Sequence, residues 1–151
     1  IRDENYNYVS LEELCQKSDI ISINCPLNSN TLYMFDTNKF EIMKDGVIII
    51  NTARGEIIKT TDLYKALLSG KVKFAAMDVV ECENVLYEDT ENRIDIDSVK
   101  DNCLKNYYVT RKLLTMDNVL ITPHIAYNTL EAKKRILEIT VNNLLSSTKF
   151  T

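Results

Sequence analysis

Side chains suited to acid–base chemistry and anion binding stand just after short apolar, β-branched runs in this sequence. Arg54 comes shortly after one such run, Glu81 and Glu83 follow the next, and His124, the only histidine, follows the last. In an open parallel sheet, ligands bind beyond the carboxyl ends of the strands. If these runs are parallel strands, an arginine, a carboxylate and a histidine meet at one edge of the sheet.

This combination suits the reduction of a 2-keto acid. A neighbouring carboxylate stabilises a protonated histidine and fixes its tautomer, so that the ring can act as a general acid or base. An arginine can hold a carboxylate through two hydrogen bonds and polarise an adjacent carbonyl. No side chain supplies a hydride, so the reaction requires a cofactor. Each residue taken alone is more often an exposed or structural group. The prediction therefore rests on their joint placement.

The elements that must position these residues alternate along the chain. Strands are predicted over 20–24, 47–50, 74–80 and 119–121, and helices over 10–18, 37–43, 60–68, 104–114 and from about 128 onward. Such alternation favours an α/β fold with a parallel sheet and right-handed crossovers. The acidic stretch 81–101 is predicted to be an irregular surface excursion.

Helix boundaries are marked by residues that can accept hydrogen bonds from free backbone amides. The predicted N-caps are Ser10, Thr60 or Thr61, and Asn128, and the first and last of these have a glutamate three residues on. The last helix is predicted to gather its apolar residues on one face, namely Leu137, Val141, Leu144 and Leu145.

Composition argues against several classes of partner. The chain has 151 residues and a formal net charge of -4, without a block rich in lysine and arginine. A nucleic acid or an anionic membrane is therefore disfavoured as a partner. No apolar run approaches the roughly 20 residues that span a bilayer.

The cysteine pattern gives no sign of a metal site. The four cysteines lie at 15, 25, 82 and 103, no pair has C-x-x-C spacing, and one histidine is present. We therefore predict no bound metal. Cys15 and Cys25 lie in apolar segments and are predicted to be small buried side chains. The pattern indicates a reducing, cytoplasmic setting.

Three blocks of sequence carry a family resemblance. INTARGEII (50–58), AAMDVVECE (75–83) and ITPHIAYNT (121–129) resemble, in the same order, the signature blocks of the D-isomer-specific 2-hydroxyacid dehydrogenases. DIISINCPLNSNT (19–31) is similar to the block that precedes them, and the similarity extends over about residues 8–145. The D-lactate dehydrogenases, including the vancomycin-resistance type, look closest because of Tyr127 and the long insert before Thr-Pro-His.

The resemblance implies a role for each residue that matches a family block. Arg54 would bind the substrate carboxylate and carbonyl. His124 would donate the proton to the carbonyl oxygen. Glu83 would pair with His124 and stabilise its protonated form, with Glu81 as the competing choice.

The resemblance also implies NAD as the cofactor. Pro26, Thr52 and Ala53 would line the cofactor groove, partly through backbone groups. Asp78 would lie near the nicotinamide ring, and Tyr127 would sit beside the substrate.

The fold implied by the resemblance is the C-terminal half of a Rossmann-like, doubly wound parallel sheet that ends in a long helix. Residues 1–151 would form a partial NAD-binding domain, because the three glycines make no G-x-G-x-x-G loop and the acidic ribose-binding residue is missing. The N-terminal substrate domain would also lie outside this chain. We expect the isolated chain to bind NADH poorly, to be inactive, and to associate through exposed apolar surfaces. The intact enzyme would be a homodimer.

Three functions fit the resemblance. The first is NAD-dependent reduction of pyruvate to D-lactate. The second is a hydroxypyruvate- or phosphoglycerate-type dehydrogenase of the same superfamily. The third is a non-catalytic, NAD-binding regulator that resembles the C-terminal-binding-protein corepressors. An unrelated α/β domain with a fortuitous match is the least favoured interpretation.

Overall fold

Helices and strands alternate along the chain, as the sequence pattern predicts. The computed structural model describes residues 5–90 and 101–147. In chain order the elements are α1 (Leu11–Lys17), β1 (Ile20–Ile23), α2 (Thr37–Ile42), β2 (Val47–Asn51), a 3-10 turn (Gly55–Ile57), α3 (Thr60–Leu68), β3 (Val72–Met77), α4 (Glu83–Thr90), α5 (Asp101–Leu113), β4 (Val119–Ile121) and α6 (Leu130–Ser147).

The four strands form one parallel sheet in the order β1-β2-β3-β4. The predicted α/β class with a parallel sheet is therefore confirmed. In the ladder, Ile23 lies beside Asn51, Asn51 beside Met77, and Met77 beside Ile121. These four residues are the last of their strands. The segments that follow the strands consequently leave the sheet at one edge, which is the condition for a shared site.

The core lies between the sheet and the helices packed against it. The run Val47–Asn51 is β-branched up to its last residue and buries alternate side chains almost completely, including Ile49. This composition suits a strand covered on both faces. Leu63 of α3 and Leu113 of α5 belong to the same cluster of buried residues. Their contribution comes from removing apolar surface from water.

Two predictions are wrong: the bounds of the third strand and the irregular conformation of the segment that begins at residue 81. The third strand spans Val72–Met77 rather than 74–80, because its pairing with β2 begins at Val72 and its pairing with both β2 and β4 ends at Met77. The segment predicted to be irregular from residue 81 forms α4 over Glu83–Thr90. Val85 of this helix is buried and Leu86 packs against the core, which gives an acidic helix an apolar anchor. Residues 91–100 of the predicted excursion lie outside the described residues.

The predicted N-caps are correct in one case out of three. The Ser10 side chain accepts a hydrogen bond from the Glu13 amide at 3.1 Å. At α6 the cap is Thr129, not Asn128, since the Thr129 hydroxyl accepts from the Ala132 amide. Neither Thr60 nor Thr61 caps α3, where Lys59 occupies the cap position without a side-chain bond. The carboxylate of Glu81, 21 positions away, accepts from the Thr60 amide instead.

The apolar face predicted on α6 is present and exposed. Leu137, Val141, Leu144 and Leu145 each show more than half of their surface to solvent. Within the described ranges, no helix has the length and apolar character needed to cross a membrane.

The cysteines divide into two free and two bonded residues. Cys15 is fully buried, as predicted, and Cys25 is half-buried. Cys82 and Cys103 form a disulfide, with 5.5 Å between their Cα atoms. The cysteine pattern gave no sign of this pair and indicated a reducing setting instead. The 21-residue separation gives no spacing signal, and only the packing of α4 against α5 brings the two thiols together.

We predict that two leucines of α3 differ sharply in their contribution to stability. Leu63→Ala removes a side chain that is 1% exposed and should lower the free energy of unfolding by about 3 kcal/mol, through lost burial and a residual cavity. Leu68→Ala is the matched control, because its side chain is 63% exposed, and should cost less than about 0.5 kcal/mol. Denaturant unfolding measures both. Equal losses would contradict this placement of the core.

Candidate active site

The histidine and one glutamate form a direct pair. His124 Nδ1 lies 2.8 Å from Glu83 Oε1, and both side chains are about one third exposed. His124 follows Pro123 and adopts a φ of +53°, a conformation that few L residues take. Its amide donates to the Asp78 carbonyl at 3.0 Å. The loop that carries His124 is therefore tied to the residue at which the chain leaves β3.

Glu81, the competing choice for the histidine partner, faces the protein interior. Its side chain is buried and accepts a hydrogen bond from the Thr60 amide at 2.7 Å. Burial, and then the nearby Glu81 carboxylate, raise the pKa of Tyr33 to about 12. The two glutamates thus have separate partners, and Glu81 serves as the cap that α3 lacks in its own sequence.

Asp78 anchors the loop that carries the histidine. Its Oδ1 accepts from the Thr122 hydroxyl at 2.5 Å and the Ile125 amide at 2.9 Å, and its Oδ2 accepts from the Ala126 amide at 2.9 Å. Burial opposes ionisation, but these hydrogen bonds outweigh it and hold the pKa of Asp78 below its usual range. Both carboxylate oxygens are engaged by the protein, so the side chain fixes the loop on both sides of His124.

The turn that carries Arg54 is organised by a residue that the sequence analysis missed. Asn51 is fully buried at the end of β2. Its Nδ2 donates to the Arg54 carbonyl at 2.9 Å, and its Oδ1 accepts from the Ala53 amide at 3.0 Å. The signal was available, because an asparagine closes an otherwise apolar run. Arg54 itself is exposed, and its Nη1 donates to the Ala53 carbonyl at 2.6 Å.

Gly55 brings the arginine turn against the glutamate segment. A Cβ atom at this position would overlap the carbonyl group of Val80 and lie 2.5 Å from the Glu81 amide nitrogen. Only glycine permits this approach of one backbone to another. Arg54 and Glu81 are therefore held on two segments in direct contact.

A groove runs along the ends of β1 and β2. It has a volume of about 450 Å³ and is lined by Asn24, Cys25, Pro26, Leu27, Thr52, Ala53 and Arg54. Pro26, Thr52 and Ala53, which were predicted to line the cofactor groove, thus lie on one surface together with the arginine, whereas Asp78 does not line this groove. Tyr127 is 61% exposed on the loop beyond His124. Arg54 and His124 share no hydrogen bond or ion pair in the described part of the chain, since they follow strands two positions apart in the sheet.

Comparison with known proteins decides the family. Residues 1–126 match the model described as "D-isomer specific 2-hydroxyacid dehydrogenase, NAD binding domain". The chain belongs to this family.

Relatives with curated names support the same assignment. The chain is 40% identical to the D-specific alpha-keto acid dehydrogenase of Enterococcus faecium over 146 residues, which cover 95% of this chain and 42% of that protein. It is 38% identical to the hydroxypyruvate reductase of Blautia hydrogenotrophica, covering 95% of this chain and 38% of that one. The chain thus spans about two fifths of the length of these relatives.

A solved structure agrees with the fold. D-lactate dehydrogenase from Aquifex aeolicus, in complex with NAD and lactic acid, superposes with a TM-score of 0.80 at 36% identity. The superposition covers 99% of this chain and 44% of that one. The Rossmann-like sheet that ends in a long helix is therefore confirmed, together with NAD as the cofactor of this dehydrogenase domain.

The residues of the groove fit a nicotinamide dinucleotide. Thr52 is exposed at the rim, and the backbone of residues 52–54 is fixed by Asn51 before any ligand arrives. Preorganised backbone groups of this kind lose little freedom on binding. Pro26 and Ala53 offer apolar surface beside them. Asp78 is buried, and both of its carboxylate oxygens already accept hydrogen bonds from the loop that carries His124.

We predict that Gly55→Ala destabilises the dehydrogenase domain by about 3 kcal/mol, because two backbone segments must separate to admit the methyl group. Gly46→Ala is the matched control. Gly46 has a φ of +79° with open space around it, so the same change should cost about 1 kcal/mol of conformational energy alone. Thermal and denaturant unfolding measure both variants. A Gly55 variant as stable as the Gly46 variant would refute the close approach.

We predict that the contribution of Asp78 to stability depends on pH. Asp78→Asn should cost about 2 kcal/mol near neutral pH, because an amide cannot accept all three hydrogen bonds. Since the folded pKa is lowered, the contribution is complete above the unfolded value of about 3.9 and is lost as the pH falls through the folded value. Unfolding measured at several pH values should show the two proteins converging in acid. The exposed Asp117→Asn serves as the control, and a difference independent of pH would count against this account.

Proposed function

We propose that the protein containing this chain reduces a 2-keto acid to the D-2-hydroxy acid with NADH, and that pyruvate, giving D-lactate, is the substrate. The observation that carries the proposal is the 2.8 Å contact between His124 and Glu83 at the edge of the sheet where the cofactor groove lies. A proton donor beside a nicotinamide site is what carbonyl reduction requires.

His124 supplies the proton in this proposal. Glu83 accepts from Nδ1 and so leaves Nε2 to face the substrate as the donor. The carboxylate also stabilises the positive charge of the ring before transfer. Asp78 keeps the ring in place by fixing the backbone of residues 125 and 126. The proton passes from Nε2 to the carbonyl oxygen as that oxygen gains negative charge.

Arg54 binds the substrate carboxylate. The guanidinium group offers paired donors that match the two oxygens, and it polarises the adjacent carbonyl. Its turn is rigid because of Asn51 and Gly55, while the exposed side chain remains free to reach the substrate. Tyr127, on the loop beyond His124, is proposed to sit beside the substrate.

Pro26, Thr52 and Ala53 would hold NAD along the groove. When bound, the reduced nicotinamide supplies the hydride that the carbonyl carbon accepts. We further propose that residues 1–151 are part of the NAD-binding domain, and that the phosphate-binding glycine loop and a substrate domain come from elsewhere in the protein. On this proposal the isolated chain is inactive, and the intact enzyme acts as a cytoplasmic homodimer.

A panel of 2-keto acids tests the choice of substrate. Among the relatives, the Enterococcus faecium protein is named for D-specific alpha-keto acids and the Blautia hydrogenotrophica protein for hydroxypyruvate. Both names fit the arginine and histidine, so the site favours the reaction class and the panel must separate the substrates. We expect the complete protein to have its highest kcat/KM with pyruvate. A higher kcat/KM with hydroxypyruvate would contradict the proposal that pyruvate is the substrate and D-lactate the product.

We predict that Glu83→Gln and His124→Gln lower kcat in the complete protein by about 10² or more, because the proton donor is impaired or removed. NADH binding, followed by fluorescence, should remain within about twofold, because neither residue lines the cofactor groove. Glu41→Gln is the matched control for the glutamate, since it is exposed on α2 and should leave kcat unchanged. Turnover that survives His124→Gln would exclude His124 as the proton donor. A biological activity that survives it while turnover is lost would instead favour a regulator.

A further inference from the structure

The residue between the two glutamates controls their separate orientations. Glu81 is fixed inside the protein by the Thr60 amide, and Glu83 reaches His124. Cys82 is the single residue that joins them. Its backbone conformation therefore decides whether the Glu83 carboxylate meets the histidine while Glu81 stays buried.

Cys82 has an unusual backbone conformation. Its φ is +52°, in the left-handed region that residues other than glycine, asparagine and aspartate rarely adopt. Strained residues of this kind persist where the surroundings hold them, and they cluster at functional sites. The Cys82 carbonyl accepts from the Val85 amide at 3.0 Å, so the same residue also starts α4.

A covalent bond links this residue to another helix. Cys82 is bonded to Cys103, which lies in α5. That helix packs on α3 and buries Leu113 in the core. The disulfide thus joins the strained residue beside Glu83 to a helix fixed by the fold. Both cysteines are half-buried rather than enclosed, so a small thiol can approach the bond.

We propose that the Cys82–Cys103 pair is a reversible thiol–disulfide site that regulates the dehydrogenase through the Glu83–His124 contact. With the bond formed, residue 82 is kept at positive φ and Glu83 meets the histidine. With the bond broken, Cys82 relaxes toward negative φ and turns Glu83 away. The oxidised form is the active form. The expected effect of the pair on turnover rests on the proposed function.

The exchange is balanced with a small disulfide, such as oxidised glutathione, as the oxidant. A Cys82 or Cys103 thiolate attacks that disulfide and releases one small thiol, and the second cysteine then displaces the other. One protein disulfide forms, one small disulfide breaks, and two electrons reduce it to two thiols. The two cysteine protons pass to the released thiolates. Reduction of the protein runs through the same steps in reverse.

In the test, the complete protein is equilibrated with glutathione buffers of different redox potential, which is called their poise below. Trapping free thiols with iodoacetamide, followed by intact mass, gives the state of the pair. Turnover of 2-keto acid should fall about 10²-fold on reduction, as for Glu83→Gln, and return on oxidation, because the proton donor loses its carboxylate partner. The ring of His124 gives a second signal by NMR of protein labelled at histidine, assigned with His124→Gln. Its Nδ1 proton should be strongly hydrogen-bonded only in the oxidised state.

Variants separate the bond from its effect on the backbone. Cys103→Ala should remain at the reduced level of activity in every buffer. Cys82→Gly combined with Cys103→Ala should keep the oxidised level in every buffer, because glycine adopts a φ of +52° without a bond. Cys15→Ala is the control cysteine and should respond as the unaltered protein does.

Three outcomes overturn the proposal: a pair that stays reduced at every poise, equal turnover in both states, or an unchanged His124 signal. If no 2-keto acid is reduced at all, the proposed function fails. In that case the trapping of thiols and the His124 signal still show whether the Cys82–Cys103 pair exchanges and whether that exchange changes the Glu83–His124 contact.

Discussion

The six residues that follow β3 include three carboxylates, each with a different hydrogen-bond partner, and the rest of the site depends on this arrangement. Asp78 accepts from the loop that carries His124, Glu81 accepts from the first amide of α3, and Glu83 pairs with the histidine ring. Two of the three are buried. A buried carboxylate is tolerated only when donors surround it, so each of these anchors specifies the position of its donors as well.

This arrangement couples elements that the sheet alone would leave independent. The sheet places the ends of β2, β3 and β4 at one edge, but hydrogen bonds between strands do not fix the loops beyond them. Asp78 ties the loop after β4 to the end of β3, and Gly55 lets the turn after β2 lie against Val80. The loop that carries the histidine and the turn that carries the arginine are thereby both held against the same short segment after β3. Their relative position is set without any direct contact between them.

The sequence predicts those features that depend on local pattern. The β-branched run before Asn51 identifies a central strand, and the position of Glu83 identifies the histidine partner through the family blocks. The cap of α3 could not be read in the same way. Its acceptor is Glu81, 21 positions away from Thr60, and only the fold brings the two together. The same holds for Cys82 and Cys103, whose pairing depends on how α4 packs on α5. Helix α4 was missed because its acidic composition conceals the anchor at Val85.

The two halves of the proposed chemistry differ in how far the protein prepares them. The histidine is half-buried, paired with a carboxylate and held by a loop whose backbone is fixed on both sides. Arg54 has a backbone fixed by Asn51 but an exposed side chain, which donates to the carbonyl of the residue before it. A fixed proton donor lowers the reorganisation required in the transition state, where charge develops on one oxygen. An exposed guanidinium group instead has room to adjust to a bound carboxylate. If both groups contact the keto acid as proposed and neither contacts its side chain, selectivity among 2-keto acids must come from surfaces outside this pair.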